Sequence, residues 1–374
     1  VKKILFVANI HKHFKAFHIP YINWLKSQGY EVHVAANDGS TIIDEADKQF
    51  NIPIDRNPFS INNIRAIMLL KQIIKNENYC LIHCHTAMGS VTARLAAKTF
   101  ITDGLKIIYT VHGFHFYKGS PNKYWSIFFP VEKYLSKYTN AIVTINKEDF
   151  ELISNSKFKN SFSFLIPGVG INTSKFDNII FSDKDIIRKK NGYQSDTFLI
   201  LYIAEFIPRK NHEFLLEVVS DLQEKISNFK VLLAGRGVFL EKTKASAKNI
   251  GVQDYIDFLG FREDIGEVIT MSDIGVSVSK QEGLPMNIAE VMYAGKPVVA
   301  SKIRGHADLI NHKENGFLYD VGDKESFINY IEYLYKNPEA RLQIGKEAKL
   351  KSKQFELEQC LQEMKKIYSQ FLDV

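Results

Sequence analysis

Short apolar runs alternate with amphipathic stretches along this chain, and the whole series occurs twice. In the first half KKILFVAN, YEVHVAAN, LIHCH, LKIIYTVHG and AIVTIN read as buried strands rich in Val, Ile and aromatic residues. Between them FHIPYINWLKSQG, INNIRAIMLLKQIIKN and GSVTARLAAKTF have the spacing of helices. Strands alternating with helices predict βαβ units and a parallel sheet. Around Pro167 the pattern breaks at IPGVGINTSKFDN, whose glycines and proline mark a linker, and a charged segment runs from Ser182 to Gln194. A second series follows, with TFLILYIAEF, FKVLLAG, YIDFLGF, IGVSVS and KPVVAS as its strands. The expectation is an α/β protein of two doubly wound domains facing across a central cleft, lined from both sides by strand C-termini. Residues 1–168 would form the first domain, 169–195 the linker and 196–354 the second domain. Residues 355–374 read as a final amphipathic helix packing back toward the first domain.

A length of 374 residues suits two domains better than one core. The 45% hydrophobic and 24% charged composition is that of a globular chain rather than a disordered one. No run approaches the ~18 apolar residues of a spanning helix. The opening VKKILFVANIHKHFK is too briefly apolar for a signal peptide and reads as a first buried strand. Cys80, Cys84 and Cys360 make no disulfide framework, so a reducing cytoplasm is expected. The net charge of +6 allows attraction to an acidic surface. No nucleic-acid motif accompanies it, and an anionic membrane face or phosphorylated substrates fit it at least as well.

The most informative stretch is IGVSVSKQEGLPMNIAEVMYAGKPVVASKIRG. A buried strand runs into KQEGLP, Pro285 suits the first turn of a helix, and Gly295 suits its exit. Free backbone N–H groups near Gly283, Leu284, Pro285, Met286 and Asn287 would then face the cleft as a site for a diphosphate or another anion. Glu282 lies at the mouth, and Glu290 is ~7.5 Å beyond Pro285 along the helix axis. One carboxylate can reach sugar hydroxyls while the other holds a ribose, each accepting two hydrogen bonds. The plain alternative is a capping Glu282 and a solvated Glu290; the co-occurring strand, Gly-Leu-Pro, helix and AGKPVVAS return argue against it.

This segment resembles the E-x7-E signature of family-4 glycosyltransferases with the GT-B fold, here Glu282 and Glu290. The resemblance extends over YIAEFIPRKNHEFLLE, VLLAGRGVFLEK, DYIDFLGFREDIGEVI and ENGFLYDVGD, and more loosely over YTVHGFHF, AIVTINKED and IPGVGINTSKF. It implies two Rossmann-like domains and transfer from a nucleotide sugar with retention of configuration. The match is to the bacterial branch that builds surface polysaccharides on lipid carriers.

Arg209 and Lys210 open a helix after the strand TFLILYIAEF, where two cations oppose the helix dipole but can neutralise a leaving diphosphate. The resemblance singles out Lys210 as the phosphate lysine. Where the family often has a further arginine this chain has Glu205, which leaves Arg209 as a candidate. His112 ends a strand, and by the resemblance it contacts the transferred sugar; His115 is a weaker candidate. Gly235 and Gly237 form a strand-ending turn that opens the nucleotide pocket, and by the resemblance Phe261 and Arg262 lie beside the base. CLIHCH is no zinc site on this reading, because a strand directs Cys80 and Cys84 to one face and His83 and His85 to the other. Asp183 and Asp185 form a D-x-D by chance, in a polar segment rather than at a strand end. Residues 116–138 mix lysines with Tyr, Trp and Phe, which suits either a membrane-surface contact or a helix of the first domain's core.

The expected partners are a nucleotide sugar, UDP-linked, and a saccharide or lipid-linked acceptor, with peripheral contact to an anionic membrane and no nucleic acid. No metal or other cofactor is expected, since fixed dipoles and cations can stabilise the leaving charge. A sugar-nucleotide epimerase of similar architecture is the alternative enzyme. A degenerate subunit that only binds the nucleotide sugar is the alternative without catalysis.

Overall fold

The computed structural model describes residues 1–177, 179 and 184–373 and divides into two compact units. One comprises Val1–Gly170 with Glu358–Val374, the other Ile171–Leu357. The first unit holds strands β1 (Lys3–Ile10), β2 (Glu31–Asn37), β3 (Lys48–Asn51), β4 (Leu81–His85), β5 (Lys106–Val111), β6 (Ala141–Thr144) and β7 (Phe162–Leu165). They form one sheet in the order β3-β2-β1-β4-β5-β6-β7, and every pairing is parallel. The order reverses between β1 and β4, where Ile4 lies opposite Leu81.

The second unit repeats the plan with β8 (Phe198–Ile203), β9 (Phe229–Ala234), β10 (Ile256–Gly260), β11 (Ile274–Ser277), β12 (Val298–Ser301) and β13 (Gly316–Tyr319). The parallel order is β10-β9-β8-β11-β12-β13, reversing between β8 and β11, where Ile200 lies opposite Ile274. The central strands are continuous apolar runs because helices cover both faces of such a sheet. FLILY of β8 and KVLLA of β9 accordingly bury almost every residue.

Three strands were not read from the sequence: β3, β7 and β13. β3 and β7 are edge strands of four residues whose ends are exposed, so neither period nor burial marks them. The stretch expected as a linker is occupied in part by the helix Lys184–Lys190, whose Arg188 reaches Asp273 at 2.6 Å and Met271 O at 2.8 Å. Positions 178 and 180–183 of that stretch, Ser182 and Asp183 included, lie outside the described residues; Asp185 is exposed in the helix's first turn. The helix Leu357–Tyr368 returns Tyr368 to the first unit, where its hydroxyl bonds His83 Nδ1 at 2.6 Å and its ring stacks on Trp24.

The stretch 116–138 contains the helix Asn122–Leu135. Trp125, Phe128 and Phe129 pack against the first unit's core, whereas Ile127, Val131 and Tyr134 are exposed. The helix is pinned from below by a buried ion pair. Arg94 on the helix Ala87–Ala97 is fully buried, meets Glu132 Oε2 at 2.7 Å and lies 4.4 Å from the centroid of the Tyr109 ring. Removing one partner leaves an uncompensated buried charge, whereas replacing both by apolar groups of similar volume does not. Glu132→Ala should therefore cost about 3–5 kcal/mol in denaturant unfolding, and the double change Arg94→Met with Glu132→Leu should recover most of that loss. A cost near zero for the single change would remove the pair from the fold's supports.

Candidate functional site

In the second unit the informative residues gather at the carboxyl ends of β8 and β11, where the strand order reverses. Crossovers leave in opposite directions there, which opens a crevice beyond the strand ends. After β8 the chain makes a short turn, Pro208–Lys210, and closes it with Asn211 at φ 57° before the helix His212–Leu222. Backbone bonds and side chains then lock this turn to the segment following β11. Lys280 N donates to Arg209 O at 2.8 Å, and Tyr202 OH donates to Lys210 O at 2.7 Å.

Glu282 is buried between cations. One carboxylate oxygen receives the Lys210 ammonium in a short hydrogen bond, and the other lies 3.2 Å from Arg209 Nη1. Arg304 Nε donates to the Glu282 carbonyl at 3.2 Å. Burial alone would raise the Glu282 carboxyl; the Lys210 charge, His306 and Arg209 outweigh it and hold it below the usual carboxylate range. Beneath lies His306, fully buried, with Nδ1 bonded to Ser301 O at 2.7 Å and Nε2 3.2 Å from Ser277 Oγ.

The helix of the signature runs from Met286 to Tyr293, with Pro285 at the capping position rather than inside the first turn as expected. No side chain caps its N-terminus among the described residues. Asn287 Nδ2 donates to Ile203 O at 2.6 Å, which ties that N-terminus to the end of β8. Gly283 O presses so close to Gly305 that a Cβ there would sit 2.5 Å away, and φ at Gly305 is 82°. Glu290 is buried further along the helix and pairs with Lys175 at 2.5 Å. Its carboxyl is raised, because burial exceeds the compensation that Lys175 provides.

Gly235 and Gly237 follow β9 and press against the turn after β8. A Cβ on Gly235 would lie 1.9 Å from Ala204 O, and one on Gly237 2.5 Å from Phe206 O. Gly235 N bonds Gly260 O at 2.7 Å, bringing Phe261 and Arg262 beside the same strand end. Phe261 is exposed with the Arg236 guanidinium over its ring, and Arg262 is held by Asp264 at 2.5 Å. Glu205 is exposed. The second unit thus brings together Glu282, Arg209, Lys210 and Gly283 to Asn287, while Glu290 lies further along the helix with Lys175. Arg304 and His306 beside Glu282, and Lys175 beside Glu290, were missed. Arg304 and His306 lie just beyond the AGKPVVAS return, and Lys175 falls in the stretch read as a linker.

In the first unit His112 directly follows β5 and is half-buried, with Nε2 3.4 Å from His85 Nδ1. Burial lowers its ring to about 4, and it lowers His13, His18 and His85 well below the ordinary imidazole value. His115 is exposed and stacks on Phe128 at 4.7 Å. A cavity of about 420 Å³ beside these residues is lined by Asn9, Lys12, His13, Arg56, Thr86 and His115. A second, of about 280 Å³, shares His115 and continues into apolar walls of Phe59, Met88, Phe114, Ile127 and Phe128. In CLIHCH, His83 bonds Tyr368 and Thr110, Cys84 Sγ donates to Ile108 O, and Cys80 Sγ donates to Lys3 O.

Residues 183–351 match the family described as Glycosyl transferases group 1, and residues 3–146 match Glycosyl transferase 4-like. The chain is 40% identical over 373 residues to "Putative glycosyltransferase EpsD" of Bacillus subtilis, covering 100% of this chain and 98% of that protein. It is 24% identical to an Escherichia coli UDP-Gal:alpha-D-GlcNAc-diphosphoundecaprenol alpha-1,3-galactosyltransferase, covering 82% of this chain and 80% of the relative. Among solved structures, Anabaena Alr3699/HepE in complex with UDP and glucose superposes with a TM-score of 0.80 at 19% identity, covering 99% of this chain and 100% of that one. These likenesses place the fold as GT-B.

The buried charges make stability pH-dependent. His306 is lowered to about 4, chiefly by burial, so the unfolded chain takes up a proton below about pH 6.5 while the folded one does not. Its contribution is present above that value and is lost on acidification, and Glu282, also lowered, adds to the loss at lower pH. Between about pH 6 and pH 5 the parent should lose about 1.2 kcal/mol more unfolding free energy than His306→Gln. Parallel slopes in denaturant titrations of the two proteins would contradict this.

Proposed function

Because the chain belongs to the Glycosyl transferases group 1 family, we propose that this glycosyltransferase moves a hexosyl or N-acetylhexosaminyl unit from a UDP-sugar, with retention of configuration. The single observation that carries the reading is the convergence of Lys210, Arg209 and an uncapped helix N-terminus on buried Glu282. Together these form an anion receptor at a strand-order reversal. In this reading Lys210 and the backbone N–H groups of Gly283, Leu284, Met286 and Asn287 hold the diphosphate, Arg209 assists, and Glu290 takes the ribose hydroxyls. Glu282 positions the sugar, and Gly235, Phe261 and Arg262 bound the base. An acceptor hydroxyl attacks the anomeric carbon on the face that the diphosphate leaves, and the diphosphate takes the hydroxyl proton. The fixed cations neutralise the leaving charge, so no metal is needed at that position.

The acceptor reading rests on the first unit. Lys12 and Arg56 give the larger cavity positive charge, and the adjoining cavity is apolar. That sequence of polar then apolar walls suits a lipid-linked saccharide of surface-glycan assembly, and the Escherichia coli relative is named for such an acceptor. No described helix is long and apolar enough to cross a membrane. Phe59, Ile61, Ile64 and Met68 are nonetheless exposed, on and before the helix Ile61–Glu77, which also carries Arg65, Lys71 and Lys75. This face would rest on the anionic cytoplasmic surface of the membrane.

Lys210→Ala and Glu282→Ala should each lower transfer by about 100-fold or more while the far-ultraviolet spectrum is unchanged. Near-normal turnover in both would end the assignment. A UDP-sugar at about 100 times its Kd should stabilise the protein by about 2.7 kcal/mol, so a melting screen across donors identifies the sugar. Ile64→Asp with Met68→Asp should weaken sedimentation with anionic vesicles by roughly tenfold without altering the melting temperature. Unchanged sedimentation would dismiss the membrane face.

A further inference from the structure

Eight of the eleven histidines lie within the first 115 residues, and the fold treats them unequally. His33 and His83 have both ring nitrogens hydrogen-bonded, His33 to Tyr79 and Glu31, His83 to Tyr368 and Thr110. His11 has one nitrogen bonded, to Asp38 O at 3.0 Å. His11, His13, His18 and His85 each have a buried Nε2 with no hydrogen-bond partner among the described residues. Buried polar atoms left in that state are rare and costly, and the rings of the last three meet at one point.

That point is well defined. His13, His18, His85 and His112 each present one ring nitrogen, and these four atoms lie within 4.8 Å of one another. The rings arrive from four segments: the helix His11–Phe17 after β1, the residue that ends that helix, the last position of β4, and the residue after β5. This is the strand-order reversal of the first unit. We propose that His13, His18, His85 and His112 form a transition-metal site, with zinc as the natural occupant. The donor set selects the metal: four neutral imidazoles suit Zn²⁺, whereas Mg²⁺ and Ca²⁺ take oxygen ligands. A tetrahedral ion at ~2.05 Å from each nitrogen needs nitrogens about 3.4 Å apart, a contraction within the reach of ring rotations. His13 lines the cavity of about 420 Å³, which supplies a route of entry.

The site stands on the first unit alone and does not depend on the donor reading. It is separate from the leaving-group charge, which Lys210 and the helix N-terminus neutralise in that reading. Its consequence for His112 is a fixed tautomer. Ligation through one ring nitrogen puts the proton on the other, which makes His112 a permanent N–H donor toward a sugar or phosphate oxygen.

The test uses the full chain, stripped with a strong chelator, desalted and titrated with zinc against a chromophoric competitor. One equivalent should bind with submicromolar affinity and raise the melting temperature. Cobalt(II) should bind in its place with the intense visible band of tetrahedral nitrogen ligation. His18→Ala should abolish both signals. Should that buried change prevent folding, His13→Gln, at a half-buried position, should weaken zinc binding at least tenfold, while His312→Gln, an exposed histidine of the second unit, should leave it unchanged. Failure of the stripped parent to bind a full equivalent, or equal binding by parent and His13→Gln, would overturn the assignment.

Discussion

A sheet whose strands all run parallel sends every crossover out from the same edge, and where the strand order reverses two crossovers must part. The gap cannot be closed by backbone, so side chains from sequence-distant segments meet there. In the second unit that gap lies between β8 and β11, and it collects Lys210, Glu282 and the head of the helix Met286–Tyr293. In the first unit it lies between β1 and β4, and it collects imidazoles. The same topological necessity thus presents cations and free amides in one unit, and uncharged nitrogens in the other.

The two glutamates of the signature show how position divides one chemical group into two. Glu282 lies among Lys210, Arg209 and His306, and its charge is held more firmly than in water. Glu290 is as well buried but has Lys175 as its counter-ion, and its charge is held less firmly. A carboxylate in the second situation gains more from hydroxyl donors than one already surrounded by charge. In the proposed donor site, that difference would let Glu290 take the ribose hydroxyls while Glu282 orients the sugar.

Much of this arrangement was legible because it is local. IGVSVS into QEGLPMNIAE places strand, turn and helix in one unbroken stretch, so the position of Glu282 follows from periodicity and from Pro285. The central strands were equally plain, being apolar throughout. What escaped was non-local or short. Strands β3 and β7 are four-residue edges whose placement depends on pairing with β2 and β6 rather than on their own residues. Lys175 sits in a glycine-punctuated segment that reads as a connection, and only the tertiary fold brings it to Glu290. The histidine set is the extreme case. CLIHCH, which has compact spacing, directs its ligands apart, whereas residues 13, 18, 85 and 112 have no spacing to notice and converge.

The grouping of Glu358–Val374 with the first unit has a temporal side. A ribosome releases the first sheet early, yet Tyr368, which bonds His83 inside that sheet, emerges only after all of Ile171–Leu357 has been made. Until then His83 keeps a buried nitrogen without its tyrosine, and Trp24 lacks the ring it stacks on. The second unit is contiguous in sequence and can complete its core during synthesis, whereas the first waits for the chain to return. Nascent chains would therefore hold the earlier-made half without these contacts until synthesis is complete.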